Sequence, residues 1–143
     1  MHLAQCNIAK PKYPLTAPEM ADFVDNLAPV NKIAESSPGF IWRLEDDSGN
    51  ATDIKIPMEP GVIVNMSVWQ DVESLKQFMF KTHHIHFLKR KKEWFYPLDT
   101  HSYVMWWIPE GHIPSVDEAA KRLSYLREHG ESEYAFSFKY SQR

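Results

Sequence analysis

Hydrophobic and polar positions recur with two different periods along the chain, and together they predict strands alternating with helices. Segments in which apolar and polar residues alternate, or in which β-branched residues are dense, are typical of strands. The predicted strands are residues 2–9, 39–45, 61–69, 101–108 and 134–140. GVIVNMSVW at 61–69 is the clearest of them, whereas DDSGN, after the second strand, predicts a turn that ATDIKI extends into a hairpin.

The first helix is predicted between the first two strands. Thr16 and Glu19 have the spacing of a capping box, and apolar residues then recur every three or four positions as far as about Ser36. Pro29 lies inside this segment and should kink the helix, because proline has no backbone N–H to donate to the preceding turn.

Three later helices are predicted from residues that begin or end them. Asp71 precedes the first, and Thr82 precedes the second, which Pro97 stops. The third begins with a capping box at Ser115 and ends near Gly130. The resulting order of strand, helix, strand, strand, helix and strand, with additions, predicts an α+β fold. This fold is the ferredoxin-like split βαβ unit, an antiparallel sheet with helices on one face.

The two faces of the predicted strands indicate how the sheet is covered. In the third strand one face is wholly apolar and belongs under helices; it carries Val62, Val64, Met66 and Val68. In the fourth strand both faces carry large apolar side chains, so a sheet covered on one face alone would expose one set to water. A second layer must cover that set, and we expect an identical subunit packed sheet to sheet, a homodimer.

Composition narrows the class of protein. The chain has 143 residues, 43% of them hydrophobic, which predicts a single compact domain over residues 1–143. With 16 basic and 19 acidic residues the net charge is -3, so neither nucleic acid nor a membrane surface is an expected partner. Cys6 is the one cysteine, which excludes a disulfide framework and favours a cytoplasmic location. We expect Cys6 to be a small core residue.

The segment KTHHIHFLKRKKEWF raises three possible functions. His83 and His86 would share one helix face, but a catalytic zinc needs a third ligand and no HExxH motif is present, so we predict no metal site. The following KRKKEW sequence is typical of a solvated helix face, although four basic residues could also contact phosphate or lie at the mouth of a pocket. The remaining interpretation places one histidine in a pocket or core and two at the surface.

The polar face of the sheet is the strongest functional signal in the sequence. If the strands alternate regularly, amide, hydroxyl and aromatic side chains converge there, and they predict an apolar, aromatic site for a small molecule. The predicted lining residues are Gln5, Asn7, Asn65, Ser67, Trp69, Tyr103 and Trp107, with Arg43 added from the second strand. The alternative is that these amides hydrogen-bond to each other or to water at a dimer interface.

Several segments resemble a known group of proteins. SVWQDVESLKQFMFKTHH is similar to the strand, tryptophan, helix and histidine segment of the dimeric α+β barrel superfamily, which includes antibiotic-biosynthesis-type and haem-degrading monooxygenases. HLAQCNIAKP, PGFIWRL, KKEWFYPL and VMWWIPEGHIPSVDEA resemble, more closely, a bacterial domain family of unknown function within that superfamily. The resemblance implies a dimeric α+β barrel and covers almost the whole chain.

The resemblance also implies two kinds of chemistry. A cofactor-independent monooxygenase would use Asn65, Trp69 and Asn7 to stabilise an enolate-type anion of an aromatic or apolar substrate, with His84 as a base. A haem-binding relative would use Asn7 and His84, but Phe78 stands where those relatives carry a tryptophan, which counts against haem turnover. A non-catalytic carrier is the alternative to an enzyme. His112 could reach the pocket or merely cap the following helix.

Overall fold

A computed structural model describes residues 1–45, 56, 61–82 and 84–141. The strands are β1 His2–Pro11, β2 Phe40–Arg43, β3 Ile63–Trp69, β4 Phe95–Tyr96 and β5 Tyr103–Ile108. A 3-10 turn at Pro18–Met20 precedes the helices α1 Ala21–Asp25, α2 Leu27–Glu35, α3 Val72–Lys81, α4 His84–Trp94, α5 Val116–His129 and α6 Phe138–Ser141.

These strands form one antiparallel sheet with β1 at its centre. β3 and β5 flank β1, β2 pairs with the outer side of β3, and the two-residue β4 pairs with the end of β1. Gln5 therefore lies between Ser67 of β3 and Met105 of β5. The predicted α+β, ferredoxin-like antiparallel sheet is confirmed.

One sheet face, here called the α5 face, is covered by the C-terminal helix. Its strand residues include Cys6, Met66 and Trp106, and they pack against Leu123 and Leu126 of α5. This is the wholly apolar face that the sequence placed under helices. Burial raises the pKa of the Cys6 thiol to about 12 and keeps it protonated, which fits its predicted place in the core.

The opposite face, here called the α2–α3 face, is covered by the helices of the ferredoxin-like unit. Trp69 and Met105 of the sheet pack there against Ala34 of α2 and Phe78 of α3. Phe136, near the end of the chain, completes this second core. Both faces of the sheet are therefore covered by the chain itself. Among the described residues, the apolar side chains of β5 that led us to expect a sheet-to-sheet homodimer are largely covered, apart from Trp107, and the homodimer stays a prediction without that argument.

The predicted first helix differs from the structure in two respects. It is broken at Asn26 into α1 and α2, and Pro29 lies in the first turn of α2, where its missing N–H is not needed for an intrahelical hydrogen bond. Pro29 therefore produces no kink inside a longer helix. The capping box at Thr16 was also wrong, because Ala17 precedes the 3-10 turn and no side chain caps it.

The predicted caps at Asp71 and Ser115 are confirmed, whereas Thr82 is the C-terminal cap of α3 and stands two residues before the start of α4. Asp71 accepts a 2.8 Å hydrogen bond from the backbone N–H of Ser74, and Ser115 accepts one of 3.1 Å from that of Glu118. Gly130 ends α5 with a positive φ of 80°, a conformation that glycine adopts without a side-chain clash.

The last predicted strand is wrong. Phe136 alone pairs with Met105, and residues 138–141 then turn into the short helix α6, so the sheet gains a bridge rather than a strand. The predicted DDSGN turn and the ATDIKI extension, at residues 46–56, lie outside the described residues apart from buried Ile56.

Candidate functional site

The polar residues predicted to share a sheet face do share it, and they lie in three parallel rows across β3, β1 and β5. Residues directly opposite each other in neighbouring strands point to the same side of the sheet. The outer row is Asn65, Asn7 and Tyr103; the middle row is Ser67, Gln5 and Met105; the inner row is Trp69, Leu3 and Trp107. Leu3, Trp69 and Met105 belong to the core under α2 and α3, and Gln5 and Ser67 are buried beside them. Trp107 and the outer row are open to solvent to different degrees.

Gln5 connects the outer and middle rows through hydrogen bonds. Its Nε2 donates to Asn65 Oδ1 at 2.9 Å and to Ser67 Oγ at 2.7 Å, and its Oε1 accepts a longer hydrogen bond from Asn7 Nδ2 at 3.5 Å. Gln5 is 6% exposed and Ser67 8% exposed, whereas Asn65 is exposed and Asn7 half-buried. The amides thus bond to each other, as one interpretation predicted, but the outer asparagines also face solvent.

Aromatic rings extend the same network towards α4. Trp69 Nε1 donates to Ser67 Oγ at 2.8 Å, and the Trp69 ring stacks on Phe78 with a centroid distance of 5.3 Å. Phe78 in turn meets the His84 ring at 4.8 Å. The structure therefore brings Trp69, Phe78 and His84 together, but Phe78 separates His84 from Trp69 and the Trp69 indole N–H is used by Ser67.

His84 stands at the start of α4 as a half-buried imidazole. Its Nδ1 lies 3.4 Å from the carbonyl oxygen of Met79, a hydrogen bond when Nδ1 carries the proton. Burial lowers the pKa of His84, and the Met79 contact opposes that shift only in part. The ring is therefore neutral at neutral pH, the form that accepts a proton or ligates a metal.

Arg43, the cation predicted to line the site, forms its ion pairs with residues outside the site. Arg43 lies opposite Ser67 in the sheet, but its guanidinium forms ion pairs with Glu35 at 2.9 Å and with Glu45 at 3.1 Å. These pairs direct it to the end of α2 and neutralise it, so Arg43 adds little positive charge to the outer row.

Tyr103 and Trp107 border the site from β5. The Tyr103 hydroxyl accepts a 3.2 Å hydrogen bond from the backbone N–H of Phe138, which fixes its ring beside α6. Trp107 belongs to the inner row at the far end of the face, lies near Phe136 and is 37% exposed. Trp107 is thus on the predicted face but two rows away from Asn65.

His112 is not part of this group. Its Nε2 lies 2.7 Å from Oε1 of Glu118, and the other oxygen of that carboxylate accepts a 2.7 Å hydrogen bond from Trp106 Nε1. Because Trp106 belongs to the α5 face, the structure places His112 across the sheet from the amides. Of the two alternatives for His112, the contact with the first turn of α5 is the one observed.

The KRKKEW segment forms surface contacts. Arg90 donates hydrogen bonds to Glu93 at 2.9 Å and to Asp22 at 3.0 Å, and its guanidinium lies 4.6 Å from the centre of the Trp94 ring. Lys91 and Lys92 are exposed, as expected for a solvated helix face. In the part of the chain that the structure describes, no group of three metal-ligating side chains occurs; His83 lies outside that part.

Sequence reasoning missed two parts of the site and its surroundings. The contact of Trp106 with Glu118 was not predicted, because it joins a strand to a helix across the core. The covering of the site by Phe136 and Phe138 was hidden by the strand-like alternation of YAFSFKY. The described helices include none long and apolar enough to cross a bilayer.

Several solved structures are similar to this chain at low sequence identity. A protein of unknown function from Nitrosomonas europaea matches with a TM-score of 0.51 and 10% identity over 80% of this chain and 95% of its own. SnoaB, a cofactor-independent oxygenase from Streptomyces nogalater, matches with a TM-score of 0.48 and 12% identity over 80% of this chain and 98% of its own. A dabb family protein with a ferredoxin-like fold from Mesorhizobium loti matches with a TM-score of 0.49 and 12% identity over 78% of this chain and 100% of its own.

The likeness to the Nitrosomonas europaea protein describes the fold and not the activity. No curated protein matches the sequence. A family model does match it, over residues 2–143, and its description is "Domain of unknown function (DUF3291)". Because the match spans almost the entire sequence, the chain belongs to the DUF3291 family.

Proposed function

We propose that this chain binds a small planar molecule at the outer row, through one of the oxygen atoms of that molecule. The observation that carries the proposal is the exposure and the hydrogen bonding of the Asn65 side chain. This side chain is exposed, and its Oδ1 accepts a hydrogen bond from buried Gln5 at 2.9 Å. Because Oδ1 is bonded to Gln5, the Asn65 Nδ2 group points away from Gln5 and offers its N–H groups to a ligand oxygen.

The surroundings of the outer row favour an aromatic ligand with little charge. Half-buried Tyr103 supplies a ring within the outer row, the rings of Trp69 and Phe78 are buried in the core of the same face, and Arg43 is neutralised by two carboxylates. Polar donors placed at the edge of an apolar, aromatic surface are the usual arrangement of small-molecule sites. A polyanionic ligand would find no free cation among these residues of the sheet.

As an enzyme, the protein would be a cofactor-independent monooxygenase. A base removes a proton from the substrate carbon next to a carbonyl group, the Asn65 N–H stabilises the resulting enolate oxygen, and the carbanion reacts with dioxygen. The overall change converts a CH2 group and O2 into C=O and water, so the substrate itself supplies the electrons. His84, the base that the resemblance implies, contacts the sheet through Phe78 and Trp69, two rows from Asn65, so we do not assign it as the base of a substrate bound at Asn65. Trp69 supports Ser67 by donating its indole N–H to it.

Oxidation of anthrone to anthraquinone tests this activity. Oxygen uptake and anthraquinone absorbance should exceed the rate in buffer, and Asn65→Ala should lower kcat about 100-fold with a much smaller change in KM. Gln77→Ala is the matched control, because it removes an exposed amide from α3 without touching the sheet. A wild-type rate equal to that of buffer would exclude turnover of this substrate class.

A non-catalytic carrier is the second candidate, and the neutral imidazole of His84 favours haem as one possible cargo. Of the two residues that the resemblance implies for haem, His84 suits the role of a ligand, whereas Asn7 is already bonded to Gln5. Haem bound through His84 would give a Soret band in the protein as purified, and His84→Ala would abolish it. Loss of anthraquinone binding in Asn65→Ala, without turnover in the wild type, would favour a carrier of an organic ligand.

A further inference from the structure

Gln5 was predicted to contact a ligand, but its position suggests another role. It lies at the centre of the sheet, between Ser67 and Met105, and is only 6% exposed. Its amide hydrogen bonds reach Asn65, Ser67 and Asn7. A side chain this buried, with its polar atoms engaged by neighbours, contacts a ligand poorly but controls how those neighbours are oriented.

An asparagine amide is a donor on one side and an acceptor on the other, so its orientation decides which group a ligand meets. In this protein the hydrogen bonds to buried Gln5 decide the orientation of the Asn65 and Asn7 amides. Gln5 Nε2 donates to Asn65 Oδ1, which turns the Asn65 Nδ2 group outward. Gln5 Oε1 accepts from Asn7 Nδ2, which turns the Asn7 Oδ1 outward. The two asparagines therefore offer opposite groups to the solvent.

We propose that Gln5 is a positioning residue that sets the hydrogen-bond polarity of the outer row: a donor at Asn65 and an acceptor at Asn7. The inference deepens the proposed function and rests on it for the identity of the ligand atom, an oxygen that accepts from Asn65. It makes Gln5, and not a residue in contact with the ligand, the determinant of specificity for an oxyanion over a hydroxyl group.

Replacement of Gln5 by glutamate should reverse the polarity at Asn65. A carboxylate accepts hydrogen bonds and donates none, so Asn65 must turn its Nδ2 inward to bond with it. The Ser67 hydroxyl and Asn7 Nδ2 remain available as further donors to the buried carboxylate. Asn65 would then present Oδ1 to the solvent. Gln5→Met, an unbranched apolar side chain, is the matched control because it removes the hydrogen bonds without adding a charge.

NMR of the Asn65 side-chain amide tests the proposal without any ligand. In the wild type its N–H protons should exchange freely with solvent, and in Gln5→Glu at least one should shift downfield and exchange at least about tenfold more slowly. Asn65→Asp assigns the signal. Protection of the Asn65 N–H protons in the wild type would overturn the proposal, whether or not the variants fold. An unchanged Asn65 signal in a folded Gln5→Glu variant would overturn it as well.

Binding of 4-nitrophenol, followed by its phenolate absorbance, adds a functional test. The wild type should favour the bound phenolate, and Gln5→Met should reduce that preference about tenfold while still binding the neutral phenol. Gln5→Glu should reverse the preference. If the wild type binds neither form but the NMR signals change as expected, the proposed ligand is wrong and the role of Gln5 stands. If the wild type binds phenolate and Gln5→Met does so equally well, the role of Gln5 is wrong and the proposed function stands.

Discussion

The indole Nε1 of Trp106 donates a 2.7 Å hydrogen bond to Oε2 of Glu118, which joins the fully buried face of β5 to the first turn of α5. The other oxygen of Glu118 lies 2.7 Å from His112 Nε2, in the loop between these two elements. One carboxylate therefore satisfies a buried indole and fixes the loop that leads into the helix. Burial alone would raise the pKa of Glu118, but the hydrogen bonds from His112 and Trp106 outweigh it and hold that pKa below its ordinary value.

This arrangement predicts a loss of stability in acid. As the pH falls below about 5, the unfolded chain binds a proton at Glu118 before the folded chain does, so the free energy of unfolding decreases until the pH is below the folded pKa. Urea unfolding between pH 7 and pH 3 should therefore show a shallower decline for Glu118→Gln than for the wild type. Glu133→Gln, at an exposed position, is the control and should keep the wild-type decline. Equal slopes for all three proteins would contradict the prediction.

The lowered pKa of His84 predicts a second pH dependence of the free energy of unfolding, at higher pH than that of Glu118. The folded pKa of His84 is lowered by burial, so the unfolded chain is protonated first and stability decreases as the pH falls below about 6.5. The free energy of unfolding of the wild type should decrease from pH 7.5 to pH 5.5, whereas that of His84→Gln should change less. His86→Gln removes an exposed histidine from the same helix and serves as the control. A wild-type slope retained in His84→Gln would show that another group is responsible.

Phe78 should be a main contributor to the stability of the α2–α3 face. Its ring is 8% exposed and lies between Trp69 and His84. Phe78→Ala should lower the free energy of unfolding by about 3–5 kcal/mol, because it leaves a cavity under α3. Phe80→Ala removes the same ring from a position on α3 that is 43% exposed, and should have a clearly smaller effect. Similar losses for the two variants, measured by urea unfolding, would contradict this description of the core.

The predicted homodimer needs a surface outside the covered parts of the two sheet faces. Large apolar side chains that remain exposed include Phe80, Trp107 and Ile113. Such residues favour association when they form a continuous patch. Light scattering after size-exclusion chromatography should therefore give about twice the 16.7 kDa mass of one chain. A mass of one chain would exclude the homodimer. It would also show that α5 completes the fold of a monomer.

Local signals in the sequence were sufficient for most elements. The alternation in GVIVNMSVW predicted both faces of β3, and the caps at Asp71 and Ser115 placed the starts of α3 and α5. Such signals are reliable because strand alternation and side-chain capping depend on residues within a few positions of each other. Where local patterns conflicted with packing they failed, as at the C-terminus, where YAFSFKY alternates like a strand but folds around Phe136 into α6.

The sequence by itself determined the ferredoxin-like sheet and the set of side chains on each of its faces, because the side-chain period of a strand is fixed by its backbone. Only the tertiary structure decided what those side chains contact. Helices of the same chain lie on both faces of the sheet, Arg43 pairs with Glu35 and Glu45, and His112 lies on the far side of the sheet from the amides. These outcomes depend on the path of the chain between elements and on contacts distant in sequence, which no local pattern encodes.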